Sequence, residues 1–155
     1  MARGQMGISS AEHTVRVAAS PEACFDAGVD YETFPDWQQA VITAEVMERD
    51  GDGLGTLVRF EVDAKLRRIS YTLRYHYERP ARVWWDFVEG DGVEAIEGEY
   101  LFEPIDEDTE ATYRLGIDPG IPMPGLIARR LSHGVMRRSL DDLRREVERR
   151  ARADD

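Results

Sequence analysis

Tyr71, Tyr75 and Tyr77 alternate along RRISYTLRYHYE, and Tyr100 and Tyr113 hold the apolar parity of AIEGEYLFEP and ATYRLGID, so five of the six tyrosines fall on one sheet face if each segment is a strand. A buried phenol left without a hydrogen-bond partner costs about 1–3 kcal/mol, so these hydroxyls must meet one another, backbone, trapped water or a ligand with a few polar atoms. As proton-transfer groups they are poorly matched to neutral pH, because an unperturbed phenol ionises near pH ~10. If the protein is an enzyme, Tyr71 and Tyr75 are the candidates, as weak acids or carbonyl-orienting groups; Arg16 and Asp86 come next, at the mouth of any hollow. If it is not, the same phenols with Trp85 and Trp37 suit a flat or isoprenoid molecule with a small oxygenated head.

Other chemistry-bearing residues read as structural. Cys24 is the single cysteine, set among Ala23, Phe25 and Ala27, which excludes an internal disulfide and a cysteine-rich zinc site and marks it as core packing. His13, His76 and His133 are far apart and lack ligand spacing, so neither a metal nor another cofactor is expected. Asp50, Asp52, Gly55 and Glu61 match a calcium loop's spacing, but Leu54 occupies a ligand position and strands flank the segment, so a tight hairpin explains them. His76 has outward parity between Arg74 and Glu78, as a solvated cross-strand neighbour would.

These side chains need a frame. HTVRVAA alternates as a strand, and Ser20-Pro21-Glu22 then supplies an N-cap, a proline at the first helical position and an early acid. YETFPDW makes a second short helical turn, limited by Pro35, with Phe34 and Trp37 directed inward. From Gln39 to Asp118 the period is two, broken at Asp50–Gly53, Arg79-Pro80, Gly90-Asp91-Gly92 and Asp106–Asp108, which predicts a meander of six antiparallel strands. After PGIPMPG, Pro124 can open a long helix whose apolar stripe is Leu126, Ile127, Leu131, Val135, Met136, Leu140, Leu143 and Val147. One strand, two short helices, six strands and a long helix predict an α+β fold in which a curved seven-stranded antiparallel sheet grips that stripe.

Parity assigns the inner face: Thr56, Val58, Phe60, Val62 and Ala64; Ile69, Tyr71, Leu73, Tyr75 and Tyr77; Val83, Trp85 and Phe87; Ile96, Gly98, Tyr100 and Phe102; Ala111, Tyr113, Leu115 and Ile117. None is Asp, Glu, His, Lys or Arg in a chain that is 33% charged, so this face is selected to be dry. The expected ligand-binding set is Phe34, Trp37, Val58, Phe60, Tyr71, Leu73, Tyr75, Trp85, Phe87, Tyr100, Tyr113, Leu131 and Val135. Gly98 amid the inner row is expected to leave space for a bend or a close approach.

At 155 residues the chain fits one domain, expected over 12–150 with a disordered tail at 1–11 and a disordered end at 151–155. No apolar run is long enough to span a bilayer and no signal-like segment opens the chain, so a cytoplasmic location is expected. A net charge of −11 argues against nucleic acid. Charge is uneven, because residues 129–155 hold 9 of the 20 basic residues, interleaved with acids as in SLDDLRREVERR.

Three segments, VRVAASPEACFDAGVDYETFPDW, TAEVMERDGDGLGTLVRFEV and RRISYTLRYHYERPARVWWDFVEGDGVEAIEGEYLFEP, together with the terminal helix, resemble the START-like or SRPBCC superfamily, the helix-grip fold shared with the birch-pollen allergen. Within it the chain is most similar to the polyketide cyclase/dehydrase and coenzyme Q-binding branch. The resemblance covers about residues 12–150 and implies binding of a lipophilic molecule between sheet and helix; some relatives are aromatase/cyclases. On the strand matching SYTLRYHY the cyclases carry an inward serine and arginine where Leu73 and Tyr75 align here, so the polar pair is missing. Three functions remain: carriage of a quinone, lipid or polyketide-like molecule; polyketide cyclisation or dehydration; and a protein-interaction module, ribosome-associated for example, acting through Arg129–Arg152. The partner expected is an apolar small molecule, and the protein is expected as a monomer or homodimer.

Overall fold

Hairpin turns at the predicted breaks fold the chain back on itself six strands in a row. The computed structural model describes residues 9–64 and 67–154; the part of the expected tail at 1–8 lies outside the described residues. The strands are β1 (Ser9–Val17), β2 (Val41–Arg49), β3 (Gly55–Asp63), β4 (Arg68–Glu78), β5 (Arg82–Asp91), β6 (Ala95–Ile105) and β7 (Asp108–Asp118). They form one antiparallel sheet in the order β1-β7-β6-β5-β4-β3-β2. Helix α1 (Pro21–Gly28) begins where Ser20 caps the Ala23 amide at 3.2 Å. A 3-10 turn (Tyr31–Thr33) and α2 (Phe34–Trp37) follow, and α3 (Gly125–Ala153) closes the chain. This is the helix-grip architecture that the periodicity predicts.

Boundaries differ from the sequence reading at both ends. β1 starts at Ser9 rather than 12, because the end of β7 presents free backbone groups that pair Ser9 with Ile117 and Ala11 with Leu115. α3 continues to Ala153, so 151–153 are helical rather than disordered; Arg150 and Arg152 in its last turn oppose the negative end of the helix dipole. Pro124 is the N-cap of α3, one position before its expected place.

The inner parity holds through the strands, with Val58, Phe60, Leu73, Tyr75, Val83, Trp85, Tyr100, Phe102, Ala111, Tyr113 and Leu115 all in the core. A bulge opposite Thr72 and Leu73 inserts Val88 into β5, so Phe87 and Gly90 both keep the inner side while Val88 is exposed. β1 faces the same way and brings His13, opposite Tyr113, toward α3. There His13 meets His133 edge to face with ring centroids 5.7 Å apart, so two of the histidines that are distant in sequence are neighbours in the fold.

Only part of the apolar stripe on α3 is gripped. Met136, Leu140, Leu143 and Val147 are completely buried, each contributing about 1.5–3 kcal/mol of apolar transfer. Leu126, Ile127 and Leu131 are exposed, contrary to the expectation that the whole stripe is covered. The buried half is tied down by polar contacts: Asp142 accepts from the Gln39 amide at 2.9 Å and its side chain at 3.0 Å, Glu148 accepts from the Ala18 amide at 2.9 Å, and Arg150 reaches Asp30 at 3.0 Å. No hydrogen bond or ion pair ties the first three turns to the rest of the fold among the described residues; there Ala128 and Ser132 are buried and His133 packs on His13, while Leu131 and Val135 stand over the sheet.

β5 and β6 pair over only Arg82–Trp85 and Gly98–Leu101, and the Trp85 indole lies across Gly98 at the end of that short ladder. The space Gly98 provides is therefore taken by Trp85 and not left for a ligand, which corrects the sequence reading. A Cβ at position 98 would sit 2.5 Å from the Arg114 carbonyl oxygen and 2.7 Å from Trp85 Cζ2. Gly98→Ala should therefore destabilise the protein by about 1–3 kcal/mol in urea unfolding, with a changed Trp fluorescence maximum; an unaltered midpoint would mean that the indole does not rest there.

Candidate functional site

With α3 tied down by polar contacts along its C-terminal half, the curved sheet and the helix enclose a cavity of about 370 Å³. β3 supplies Phe60 and Val62 to its wall, β4 supplies Ile69, Tyr71, Leu73 and Tyr75, and β7 supplies Tyr113, Leu115 and Ile117. Trp85, Ile96 and Tyr100 close the floor. Phe34 and Gln38 line the α2 side, and Arg130, Leu131, Gly134, Val135, Arg138, Ser139 and Asp142 line the α3 side.

Ten of the thirteen residues in the expected set therefore border one space: Phe34, Phe60, Tyr71, Leu73, Tyr75, Trp85, Tyr100, Tyr113, Leu131 and Val135. Three do not border it. Trp37 is turned against Phe34, with ring centroids 5.0 Å apart, and its indole donates to Thr33 Oγ1 at 2.9 Å. Val58 is wholly buried in the core, and Phe87 lies beside Gly90 at the bulge, away from the hollow. The alternative catalytic groups also lie elsewhere: Arg16 pairs with Asp108 at 2.8 Å, and Asp86 pairs with His76 at 2.8 Å on the outer face, where His76 stacks on Trp84. Sequence reasoning missed Gln38, Ser139, Arg130, Arg138 and Asp142. The signal was available in helical spacing, since Ser139 and Asp142 follow Val135 by four and seven residues and so share its side of α3.

The tyrosines divide into satisfied and open groups. Tyr77 donates to the Gly55 carbonyl oxygen and receives a bond from Tyr31 at 2.7 Å, away from the cavity. Gln38 and Ser139 bond reciprocally, the serine hydroxyl to Oε1 at 3.1 Å and the amide nitrogen to the Ser139 carbonyl at 3.3 Å. Since the Ser139 proton is committed to Gln38, Tyr100 is the donor in its long 3.4 Å contact with Ser139. The hydroxyls of Tyr71 and Tyr75 have no hydrogen-bond partner among the described residues, and both rings face the hollow. Trp85 Nε1, a donor only, is buried and likewise unpartnered.

Electrostatically the interior favours neutral groups. Burial, reinforced by neighbouring phenols, raises Tyr31, Tyr75 and Tyr113 well above 10, and burial also raises Tyr71 and Tyr77. Tyr100 is pushed up to about 12 by burial, which its Ser139 contact only partly offsets. Cys24 is pushed up to about 11 by burial, against a lowering contact with Thr109, which leaves an inert core thiol. The charged residues lining the cavity are Asp63, Arg130, Arg138 and Asp142; the first three are exposed, and Asp142 is already engaged by Gln39 and Arg145. The arrangement can donate hydrogen bonds to oxygen in a largely apolar space, from phenols that burial keeps protonated at neutral pH.

All six tyrosines thus retain their protons beyond the pH near ~10 at which they ionise in an unfolded chain. Above that pH the unfolded state has released protons that the folded state still binds, so stability falls as pH rises. Alkaline titration should show no phenolate absorbance in the native protein near pH ~10, then the phenols ionising together as it unfolds; independent ionisation of several tyrosines near the ordinary value would contradict this packing.

Comparison with known proteins agrees with this geometry. The chain aligns over residues 9–148 with the family described as polyketide cyclase / dehydrase and lipid transport. A START superfamily protein from Mycobacterium smegmatis superposes with a TM-score of 0.85 at 21% identity, over 92% of this chain and 99% of that one. The aromatase/cyclase Zhui from a Streptomyces species superposes with a TM-score of 0.77 at 22% identity, over 94% and 97% of the two chains. A Thermus thermophilus protein gives 0.73 at 22% identity, over 93% and 97%. At these identities the likeness is one of fold. No curated protein matches the sequence. With the family match spanning most of its length and the sheet, helix and hollow all in place, the chain belongs to the polyketide cyclase/dehydrase and lipid-transport family.

Proposed function

We propose that the protein binds and carries an apolar molecule bearing at least one hydrogen-bond acceptor oxygen, such as a quinone, an oxygenated lipid or a polyketide. The observation that carries this reading is the pair of unpartnered hydroxyls of Tyr71 and Tyr75 on the largely apolar sheet wall of a cavity of about 370 Å³. A carbonyl oxygen entering the hollow can accept from either hydroxyl while its hydrocarbon frame is desolvated against Phe60, Leu73, Ile96 and Leu115. The volume lies at the lower end of the roughly 300–1,000 Å³ of small-molecule sites, which suits a two- or three-ring molecule or one acyl chain.

The similarity to a solved aromatase/cyclase favours a second reading, in which Tyr71 or Tyr75 orients a ketone for cyclisation or dehydration. Against it stands the proton chemistry: burial holds both phenols protonated, so they serve as donors and not as bases. The interaction-module reading loses force because Arg145, Arg149 and Arg150 are paired with Asp142, Glu146 and Asp30.

Native mass spectrometry of the purified protein should reveal a noncovalent adduct that solvent extraction releases; protein that is empty and also fails to bind hydrophobic probes would end the carrier reading. Tyr71→Phe and Tyr75→Phe should each weaken binding of anthraquinone by about five- to tenfold, one neutral hydrogen bond, while leaving anthracene unaffected. For the cyclase reading, formation of a cyclised product from a linear poly-ketone should be lost in the same variants, and its persistence would exclude those phenols.

A further inference from the structure

Along the segment from 119 to 138, whose residues Arg130, Leu131, Gly134, Val135 and Arg138 line the cavity, the chain reverses its charge. It carries Arg129, Arg130, Arg137 and Arg138 and no carboxylate, although the protein as a whole is −11. Three of the five arginines farther along the same helix are neutralised locally: Arg145 by Asp142 at 2.6 Å, Arg149 by Glu146 at 2.7 Å, and Arg150 by Glu146 and Asp30. Arg130 and Arg138 line the cavity and form no ion pair among the described residues. Between them, at four-residue spacing on the same side of α3, stands Gly134, where an added side-chain atom would meet nothing within 4 Å. Arg130 and Arg138 thus flank an open notch, their backbones about 12 Å apart along the helix axis, a span that two arginine side chains can close from either end.

We infer that the molecule held in the cavity is an amphiphile whose carboxylate rests at this notch, held by Arg130 and Arg138, while its apolar body lies beneath α3. The inference rests on the binding reading above and names the class of ligand it takes. An acidic protein repels an anion at a distance, so an anionic ligand needs a locally positive mouth over the low-dielectric hollow, which focuses the field there. Asp63 on the β3 side adds one negative charge to the lining, against the two guanidinium groups of Arg130 and Arg138. Asp142 does not compete, because one carboxylate oxygen accepts from the Gln39 amide and the other from the Gln39 side chain and Arg145. A guanidinium fork also matches the planar carboxylate better than an ammonium would, and this segment carries arginines and no lysine.

Three matched fluorescent probes test it: anthracene-2-carboxylate, its methyl ester and 2-(aminomethyl)anthracene, titrated into the full chain. The carboxylate should bind about fivefold more tightly than the ester, the combined size of two exposed ion pairs, and the amine most weakly. Added salt should narrow the gap between acid and ester. The double variant Arg130→Gln/Arg138→Gln should abolish that gap, with an unchanged urea midpoint to show that it folds, since exposed polar exchanges barely affect stability. Arg129→Gln/Arg137→Gln, on the same helix but off the cavity wall, should preserve it. Equal binding of acid and ester by the wild type, or equal loss from the two double variants, overturns the assignment while ligand binding itself stands. Failure of all three probes to bind overturns both.

Discussion

One helix cannot cover the inner surface of a seven-stranded curved sheet, and the rest of this structure follows from where the helix is fastened. Met136, Leu140, Leu143 and Val147 press against the sheet without any exposed surface, and Asp142, Glu148 and Arg150 tie that half of α3 to the chain around α1 and α2. The other half is held by packing alone, with Ala128 and Ser132 buried and His133 on His13, and on its cavity side Leu131 and Val135 border a hollow instead of completing a core. A cavity here is a consequence of where α3 is anchored more than of small side chains on the sheet.

The hollow is dry in composition yet not inert. Phenols on an apolar face cost little when they bond to one another, as Tyr31, Tyr77 and the Gly55 carbonyl do, and such pairs set the shape of the core. Where the wall recedes, Tyr71 and Tyr75 keep their donors without a protein acceptor among the described residues. Burial keeps those phenols protonated, which fits them for recognising oxygen and unfits them for abstracting protons. The balance of the site is thus toward holding a molecule, with chemistry confined to what the bound molecule can do when oriented.

Charge divides the terminal helix in the same way that packing does. Its anchored half pairs arginines with buried or half-buried acids, and its free half carries arginines with no acid nearby in sequence. Helix periodicity shows alternating charge in the first case as a solvated, self-neutralising face. In the second, the absence of partners leaves a positive rim on an acidic protein.

Strand parity, turn residues and the capped helix start were legible because each is a local rule: alternate side chains must face opposite ways, and Ser20-Pro21 satisfies a helix start wherever it occurs. The same locality made the dry inner face and its tyrosines readable one strand at a time, along with ten of the residues that border the hollow. What locality could not supply was relative placement. Trp85 fills the gap at Gly98, and Trp37 turns toward Thr33, because of neighbours many residues away. His13 meets His133 because β1 pairs with β7 beneath the final helix. The stand-off of α3, which decides that there is a cavity and that Ser139, Asp142 and two arginines line it, depends on long-range contacts at one end of the helix outweighing apolar exposure at the other. Sequence alone determined which faces must avoid water; only the folded chain decided which of those faces meet and which leave room between them, because that depends on summed packing across the whole sheet.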